Sequence, residues 1–141
     1  MKEVLVIGFM FIAAVAANGQ CQKKITGKSQ KTEFLDANGK VQDVKDQPTK
    51  IETTPGHITV TTEQDGEVIE GDIKDFACDW SEPFKNGKTT FTSLMAKSSG
   101  ETRHVMITIE GKDGKIDIIV EVEKMQGKKM RMLIDDYKEE I

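Results

Sequence analysis

The sequence predicts an all-β fold: an antiparallel up-and-down meander of about eight or nine short strands that forms a closed or half-open barrel. Three observations support this prediction. Tight-turn sequences recur at nearly even intervals, short runs rich in β-branched residues lie between them, and the connections are short. Such connections join antiparallel neighbours, because a parallel crossover needs a dozen or more residues.

Glycine-containing turn signals divide the chain. Asn-Gly and Asp-Gly favour the type I′ hairpin turn, in which both central residues need positive φ. We predict tight turns at residues 36–40, 63–67, 85–88, 98–101, 112–115 and 126–128. Because each turn reverses the chain, the segments between them should pair as neighbouring antiparallel strands.

The segments between the turns alternate apolar and polar residues. Val105, Ile107 and Ile109 share one face, and the run from Ile116 to Val122 alternates in the same way. This alternation predicts half-buried strands, and the β-branched content supports strands over helices. The predicted strands lie near residues 31–35, 40–45, 49–53, 57–63, 67–80, 88–96, 102–110, 115–124 and 128–135. A bulge or bend is expected near Gly71, where alternation fails.

The C-terminal segment fits two structures. Met130, Met132 and Ile134 alternate as in a strand, and the predicted turn at 126–128 favours that interpretation. A short C-terminal helix is the alternative. Its apolar stripe would comprise Met130, Leu133, Ile134, Tyr137 and Ile141.

A meander with one apolar face must curl on itself or have that face covered. Eight or nine strands are enough to close a barrel that holds one small ligand. The strand count and the single apolar face resemble those of lipocalin barrels in architecture only. The short signatures that identify that family are not evident, so no membership follows.

The N-terminus has the features of a cleavable signal peptide, which we assign to residues 1–19. A short charged start precedes about fourteen apolar residues, fewer than the roughly twenty that a spanning helix needs. We therefore expect an exported protein, periplasmic or extracellular, without a transmembrane span after processing. Residues 20–30 are predicted to be a flexible segment, and residues 31–141 a single antiparallel β domain.

The two cysteines, Cys21 and Cys78, are an even number for an oxidising compartment. A disulfide between them would close a loop of about 57 residues and contribute roughly 4 kcal/mol in the chain-entropy model. Two unpaired thiols are the alternative. Lipid attachment at Cys21 is disfavoured, because Gln20 stands where a small residue usually precedes the modified cysteine.

Composition and motifs exclude several function classes. The formal net charge of −4 gives no basic surface for nucleic acid. We predict no cofactor, no metal site and no identifiable catalytic residue. His57 and His104 have no metal-ligand spacing, and Gly87-Lys88-Thr89 lacks the earlier glycine of a phosphate-binding loop.

One aromatic segment and the methionines are the candidate binding residues. Phe76, Trp80 and Phe84 are close together, and aromatic side chains near a strand end often line a ligand site or anchor a partner. The methionines Met95, Met106, Met130 and Met132 are expected to line an adaptable cavity. Core packing is the alternative role for both groups.

These features favour a non-enzymatic binding module for a small apolar ligand or a protein partner. The alternatives are an envelope-associated structural or accessory protein and, with less support, a hydrolase with an unrecognised site. A ligand-binding module requires a closed barrel with a cavity of a few hundred cubic ångströms. A hydrolase requires a histidine near a carboxylate in a cleft.

Overall fold

The computed structural model describes residues 19–123 and 129–139 of the 141-residue chain. Residues 1–18 of the predicted signal peptide and the predicted turn at 126–128 lie outside these ranges. A short 3₁₀-turn (Gly19–Gln22) is followed by eight strands in the described part of the chain. The strands are β1 (Ile25–Leu35), β2 (Val41–Thr53), β3 (His57–Thr62), β4 (Val68–Glu82), β5 (Asn86–Lys97), β6 (Thr102–Lys112), β7 (Lys115–Val122) and β8 (Lys129–Glu139).

The strands form one closed antiparallel barrel in sequence order, with β8 pairing back onto β1. This confirms the predicted all-β meander and decides for the closed barrel over the half-open one. The strands predicted at 40–45 and 49–53 are a single strand, β2. Its residues Thr49–Thr53 pair with β3, whereas the register of its N-terminal half pairs with β1 alone.

The first strand begins earlier than predicted. Segment 20–30, assigned to a flexible region, contains most of the 3₁₀-turn and the first six residues of β1, so the boundary at residue 31 is wrong. Its polar composition concealed a strand, because Gly27 and Ser29 face the interior where an apolar residue was expected. A Cβ on Gly27 would lie 2.6 Å from Cγ2 of Ile134, which packs against it.

The C-terminal segment is the strand β8, which confirms the favoured prediction. The alternative of a short helix is wrong for residues 129–139, and Ile141 lies outside the described residues. A strand is needed here because β8 pairs with β7 on one side and β1 on the other, which closes the barrel. This long-range pairing decides between two patterns that the local sequence leaves open.

The irregularity in β4 lies beyond its predicted position at Gly71. The β4–β5 register is unchanged from Ile69 to Lys74 and shifts before Ala77, with Asp75 at φ 54°. Gly71 instead allows a close approach to β5, since a Cβ there would lie 2.4 Å from the carbonyl oxygen of Leu94. The missing side chain at position 71 therefore reflects packing, and the bulge lies at Asp75.

Two Gly-containing turns behave differently. Asp113 and Gly114 both have positive φ, at 52° and 84°, between the paired residues Lys112 and Lys115. This matches the predicted type I′ hairpin. The turn predicted at 85–88 differs: the left-handed residue is Phe84, at φ 63°, and Gly87 already belongs to β5.

Candidate functional site

The barrel interior contains a cavity of about 370 Å³ at one end, which we call the cup. It is reached from the end that carries the β3–β4 and β5–β6 turns. Most of its wall is formed by nine apolar residues from six strands: Val60, Ile69, Met95, Val105, Ile107, Val120, Val122, Met130 and Met132. The volume of the cup lies in the range of small-molecule sites.

The cup is hollow because the side chains that face it are short or slender. Four of the nine are valines, whose branches end close to the backbone, and three are methionines, whose side chains are unbranched and flexible. On β6 the inward residues are Val105 and Ile107, and opposite them on β7 are Val122 and Val120. In this part of the barrel no aromatic side chain lines the cup to fill its centre.

The mouth of the cup bears two ion pairs. Lys97 Nζ lies 3.7 Å from Glu67 Oε1, and Arg103 Nη2 lies 2.6 Å from Glu101 Oε2. All four side chains border the cavity and are roughly half exposed. The site therefore has an apolar interior beneath a polar rim whose four charges sum to zero.

The opposite end of the barrel, which we call the closed end, is filled by Trp80. This side chain is 1% exposed, and its indole Nε1 donates a hydrogen bond of 2.8 Å to Thr89 Oγ1. Gly87 on β5 and Gly111 on β6, which pair with each other, provide the space. A Cβ on Gly87 would lie 2.6 Å from an indole carbon, and one on Gly111 would lie 2.5 Å from another. A larger residue at either glycine would displace the indole.

The 3₁₀-turn covers the closed end and is fixed there by a covalent bond. Cys21 and Cys78 form a disulfide with a Cα–Cα distance of 6.0 Å, which confirms the predicted pairing. The bond uses the Cys21 sulfur that lipid attachment would require. Beside it, the Phe84 backbone N–H donates a 2.6 Å hydrogen bond to Gln20 Oε1. A void of about 20 Å³ lies at this end, bordered by Cys21, Cys78 and Tyr137.

Tyr137 of β8 completes the closed end. Its ring stacks on Trp80 with centroids 6.2 Å apart and meets the Phe84 ring edge-on at 5.6 Å. Burial in this aromatic group raises the pKa of the Tyr137 phenol above its usual value, because the phenolate would lose its hydration.

The structure divides the seven predicted binding residues among three places. Met95, Met130 and Met132 line the cup. Trp80 and Phe84 belong to the closed end, and Phe76 stacks on the buried Phe91 at 6.4 Å while remaining 39% exposed. Met106 is 46% exposed and lies on the outer surface. The aromatic segment and the methionines therefore do not form one site.

The valines and isoleucines of the cup were missed as site residues. Their alternation identified them as inward-facing, so the signal for the barrel wall was present in Val105, Ile107, Val120 and Val122. The sequence did not indicate which inward residues surround empty space. That distinction depends on Trp80, which fills one end of the barrel and leaves the other open.

Neither histidine lies in the cup. His57 is on the outer surface, with Nε2 3.1 Å from Glu70 Oε1 and Nδ1 3.3 Å from Asp72 Oδ1. His104 is exposed, 4.0 Å from Glu123. Within residues 19–123 and 129–139, no group of three or more His, Cys, Asp or Glu is arranged to hold a metal ion.

Two further features of the described chain limit the candidate sites. A wider depression of about 720 Å³ lies on the outer face of β4–β6, but it is open to solvent and lined by charged residues such as Lys88 and Glu110. Those two side chains form an ion pair at 3.6 Å. No helix among these residues is long and apolar enough to cross a membrane. The cup is thus the better candidate for a small molecule.

Comparisons with protein-family models, with curated proteins and with solved structures find no match to this chain. A functional assignment therefore rests on the geometry and chemistry of the cup.

Proposed function

We propose that this protein is a non-enzymatic binding module that takes a small apolar ligand into the cup. The observation that supports it is the cup itself: about 370 Å³ inside a closed barrel, with an apolar wall and an opening to solvent. Ligand sites of this kind combine a mostly apolar lining with a few polar groups at the edge. Each methylene of a ligand that leaves water here would contribute about 0.8 kcal/mol to binding.

The wall can adjust to the contours of an apolar ligand. Met95, Met130 and Met132 contribute flexible thioether side chains on three strands, and such side chains adapt to different apolar surfaces. Thr49, which is buried in the same wall, already donates its hydroxyl to the Gln47 carbonyl oxygen at 2.9 Å. Because that hydroxyl has its partner, Thr49 does not require a polar group from the ligand.

The proposal includes export to the periplasm or the outside of the cell. Support comes from the signal-peptide features of residues 1–19 and from the Cys21–Cys78 disulfide, which is typical of oxidising compartments. Expression of the full chain in an exporting host tests this. We expect an N-terminus near residue 20 and a protein without free thiols; retention of Met1 in cytoplasmic protein would contradict export.

Binding is tested with an apolar dye whose fluorescence rises when it leaves water, titrated into the protein recovered from that expression. A matched pair of substitutions locates the dye. Met130→Trp fills the cup, whereas Met106→Trp makes the same change on the outer surface. We expect Met130→Trp to weaken dye binding by at least about tenfold, which is about 1.4 kcal/mol, and Met106→Trp to leave it unchanged.

Equal dye binding by both variants would place the dye outside the cup and contradict the proposal. Unfolding curves for both variants establish that each retains the fold. The two substitutions have the same chemistry, so a difference between them reports the location of the side chain.

The other functions have less support from the described residues. The exposed apolar side chains that a protein partner could use are distributed over several strands: Val41 and Val44 on β2, Phe76 on β4, Leu94 on β5, Met106 on β6 and Leu133 on β8. Single exposed apolar residues are normal for a protein surface. Neither imidazole has a hydrogen bond from a described Ser, Thr or Cys side chain, which a histidine-activated nucleophile would need.

A further inference from the structure

We infer that the ligand is a single-chain amphiphile: one extended alkyl chain of about a dozen carbons occupies the cup, and a headgroup without net charge remains at the mouth. This inference rests on the proposed function and specifies its ligand. The shape of the cup, the chemistry of its wall and the charges of its mouth each support one part of it.

The dimensions of the cup favour one extended chain. Along β6 it reaches from Glu101 to Ile107, six residue steps of about 3.3 Å on a strand tilted by roughly 40°, so its depth is about 15 Å. With a volume of about 370 Å³, the cup is long relative to its width. This elongated shape suits one extended hydrocarbon chain.

The volume sets the length of that chain. At roughly 30 Å³ for each water-sized group, a cavity of about 370 Å³ holds about twelve groups. The buried residues Ile107 and Met132 belong to the deep wall, and their side chains carry no charge. A tail without polar atoms therefore matches this deep part of the wall.

The mouth favours a headgroup without net charge. Among the described residues that line the mouth, each cation has an anion as its partner: Lys97 with Glu67 and Arg103 with Glu101. A carboxylate headgroup would be attracted by Lys97 or Arg103 but repelled by the neighbouring glutamate. A cationic headgroup would be attracted by that glutamate but repelled by the neighbouring lysine or arginine. An uncharged or zwitterionic headgroup avoids this repulsion and can hydrogen-bond to either partner.

The test is displacement of the dye from wild-type protein by amphiphiles with the same twelve-carbon tail, all below their micelle-forming concentrations. Dodecylphosphocholine and monododecanoylglycerol represent headgroups without net charge; dodecanoate and dodecyltrimethylammonium represent the two charges. We expect the first two to bind about tenfold more tightly than the charged pair, a difference of about 1.4 kcal/mol. Tighter binding of either charged compound would overturn the assignment of the headgroup.

Tail length and shape are tested with phosphocholines of 8 to 16 carbons and with a rigid sterol. Affinity should rise with each added methylene up to a length of about twelve carbons and then level off, because further carbons would remain in water. A sterol that binds as tightly as the twelve-carbon compound would overturn the single-chain assignment. If the Met130→Trp effect persists in that case, the proposed function stands and only the ligand class fails.

Paired substitutions at the mouth test the role of the ion pair directly. Glu101→Gln leaves Arg103 without its partner, so dodecanoate should gain affinity severalfold. Arg103→Gln leaves Glu101 unpaired, and the gain should transfer to dodecyltrimethylammonium. Glu110→Gln removes a carboxylate from an ion pair with Lys88 on the outer face and serves as the control. Equal effects of all three variants on both ligands would show that the mouth does not contact the headgroup.

Discussion

The two ends of the barrel have the same strand pattern and opposite interiors. At both ends alternate side chains point inward, but the closed end contains Trp80 and Phe91, whereas the cup is lined by valines, methionines and isoleucines. Gly87 and Gly111 enhance the contrast, because their missing side chains admit the Trp80 indole. The comparison teaches that alternation determines which residues face inward, and that side-chain volume determines whether the interior is filled.

The ends also differ in the interactions that hold them. The closed end has the Cys21–Cys78 disulfide, the buried Trp80–Thr89 hydrogen bond and the hydrogen bond from Phe84 to Gln20. The mouth of the cup has ion pairs between half-exposed side chains, which typically contribute less than about 1 kcal/mol each. We therefore expect substitutions at the closed end to affect folding and those at the cup to affect binding.

The largest expected effect is that of Trp80→Ala. It removes the side chain that fills the closed end and leaves the Thr89 hydroxyl without its indole donor. Loss of a buried tryptophan typically costs about 3–5 kcal/mol of the free energy of unfolding. Urea unfolding of the variant measures this cost, and Met106→Ala on the outer surface, expected within about 0.5 kcal/mol of wild type, is the control. Equal small effects of both variants would contradict the assigned role of Trp80.

Removal of the disulfide should have an effect of similar size. Cys21→Ser with Cys78→Ser releases a bond between residues 57 apart, and the chain-entropy model assigns such a bond about 4 kcal/mol. Urea unfolding of the double variant should agree with that of wild type under reducing conditions. If the reduced wild type is as stable as the oxidised protein, the bond does not stabilise the closed end.

The sequence predicts most of the strands and turns that form the barrel wall, but it does not predict which parts of the interior are filled. The turn at 112–115 and the alternation of β6 and β7 are local signals, and the structure confirms both. The extent of β1 was missed because Gly27 and Ser29 face inward despite their small or polar character. The C-terminal strand was favoured but left ambiguous, because only pairing with β1, about a hundred residues away, determines it.

The site was harder to predict because it is defined by the absence of side chains from a volume. Met130 and Met132 were identified as cavity residues, but Met106 shares their chemistry and lies outside the barrel. The sequence makes the aromatic segment a candidate binding region, whereas in the structure its Trp80 fills the end of the barrel opposite the cup. Position relative to the two ends requires the closed register of all eight strands, and no local pattern encodes it.

A more direct comparison of the ends uses two isoleucines of the same strand. Ile107 and Ile109 are both 2% exposed, but Ile107 borders the cup and Ile109 borders the small void of the closed end. Truncation of a buried isoleucine to alanine costs about 2–5 kcal/mol, depending on the cavity that remains. Ile109→Ala should fall near the upper limit and Ile107→Ala near the lower, because Ile107 already faces open space.

Urea unfolding measures the stability of both isoleucine variants. The dye titration should rank their effects on dye affinity in the opposite order. Ile107→Ala changes the wall of the cup and should alter dye affinity, while Ile109→Ala should leave it near the wild-type value. If Ile107→Ala is the more destabilising of the two, the distinction between a filled and an open end is wrong.

The smallest effect at neutral pH is expected from Tyr137→Phe, which keeps the ring against Trp80 and removes only the hydroxyl. Burial raises the pKa of Tyr137 in the folded state above the value of about 10 that it has in the unfolded chain. The folded state therefore keeps a proton that the unfolded chain releases, and stability falls as the pH rises above about 10.

Because Tyr137 is the sole tyrosine, phenolate absorbance follows it directly. Folded protein should form phenolate at a higher pH than protein in urea, and Tyr137→Phe should lose stability less steeply above pH 10 than wild type; phenolate formation at the same pH in both states would show that the closed end does not exclude water from this side chain.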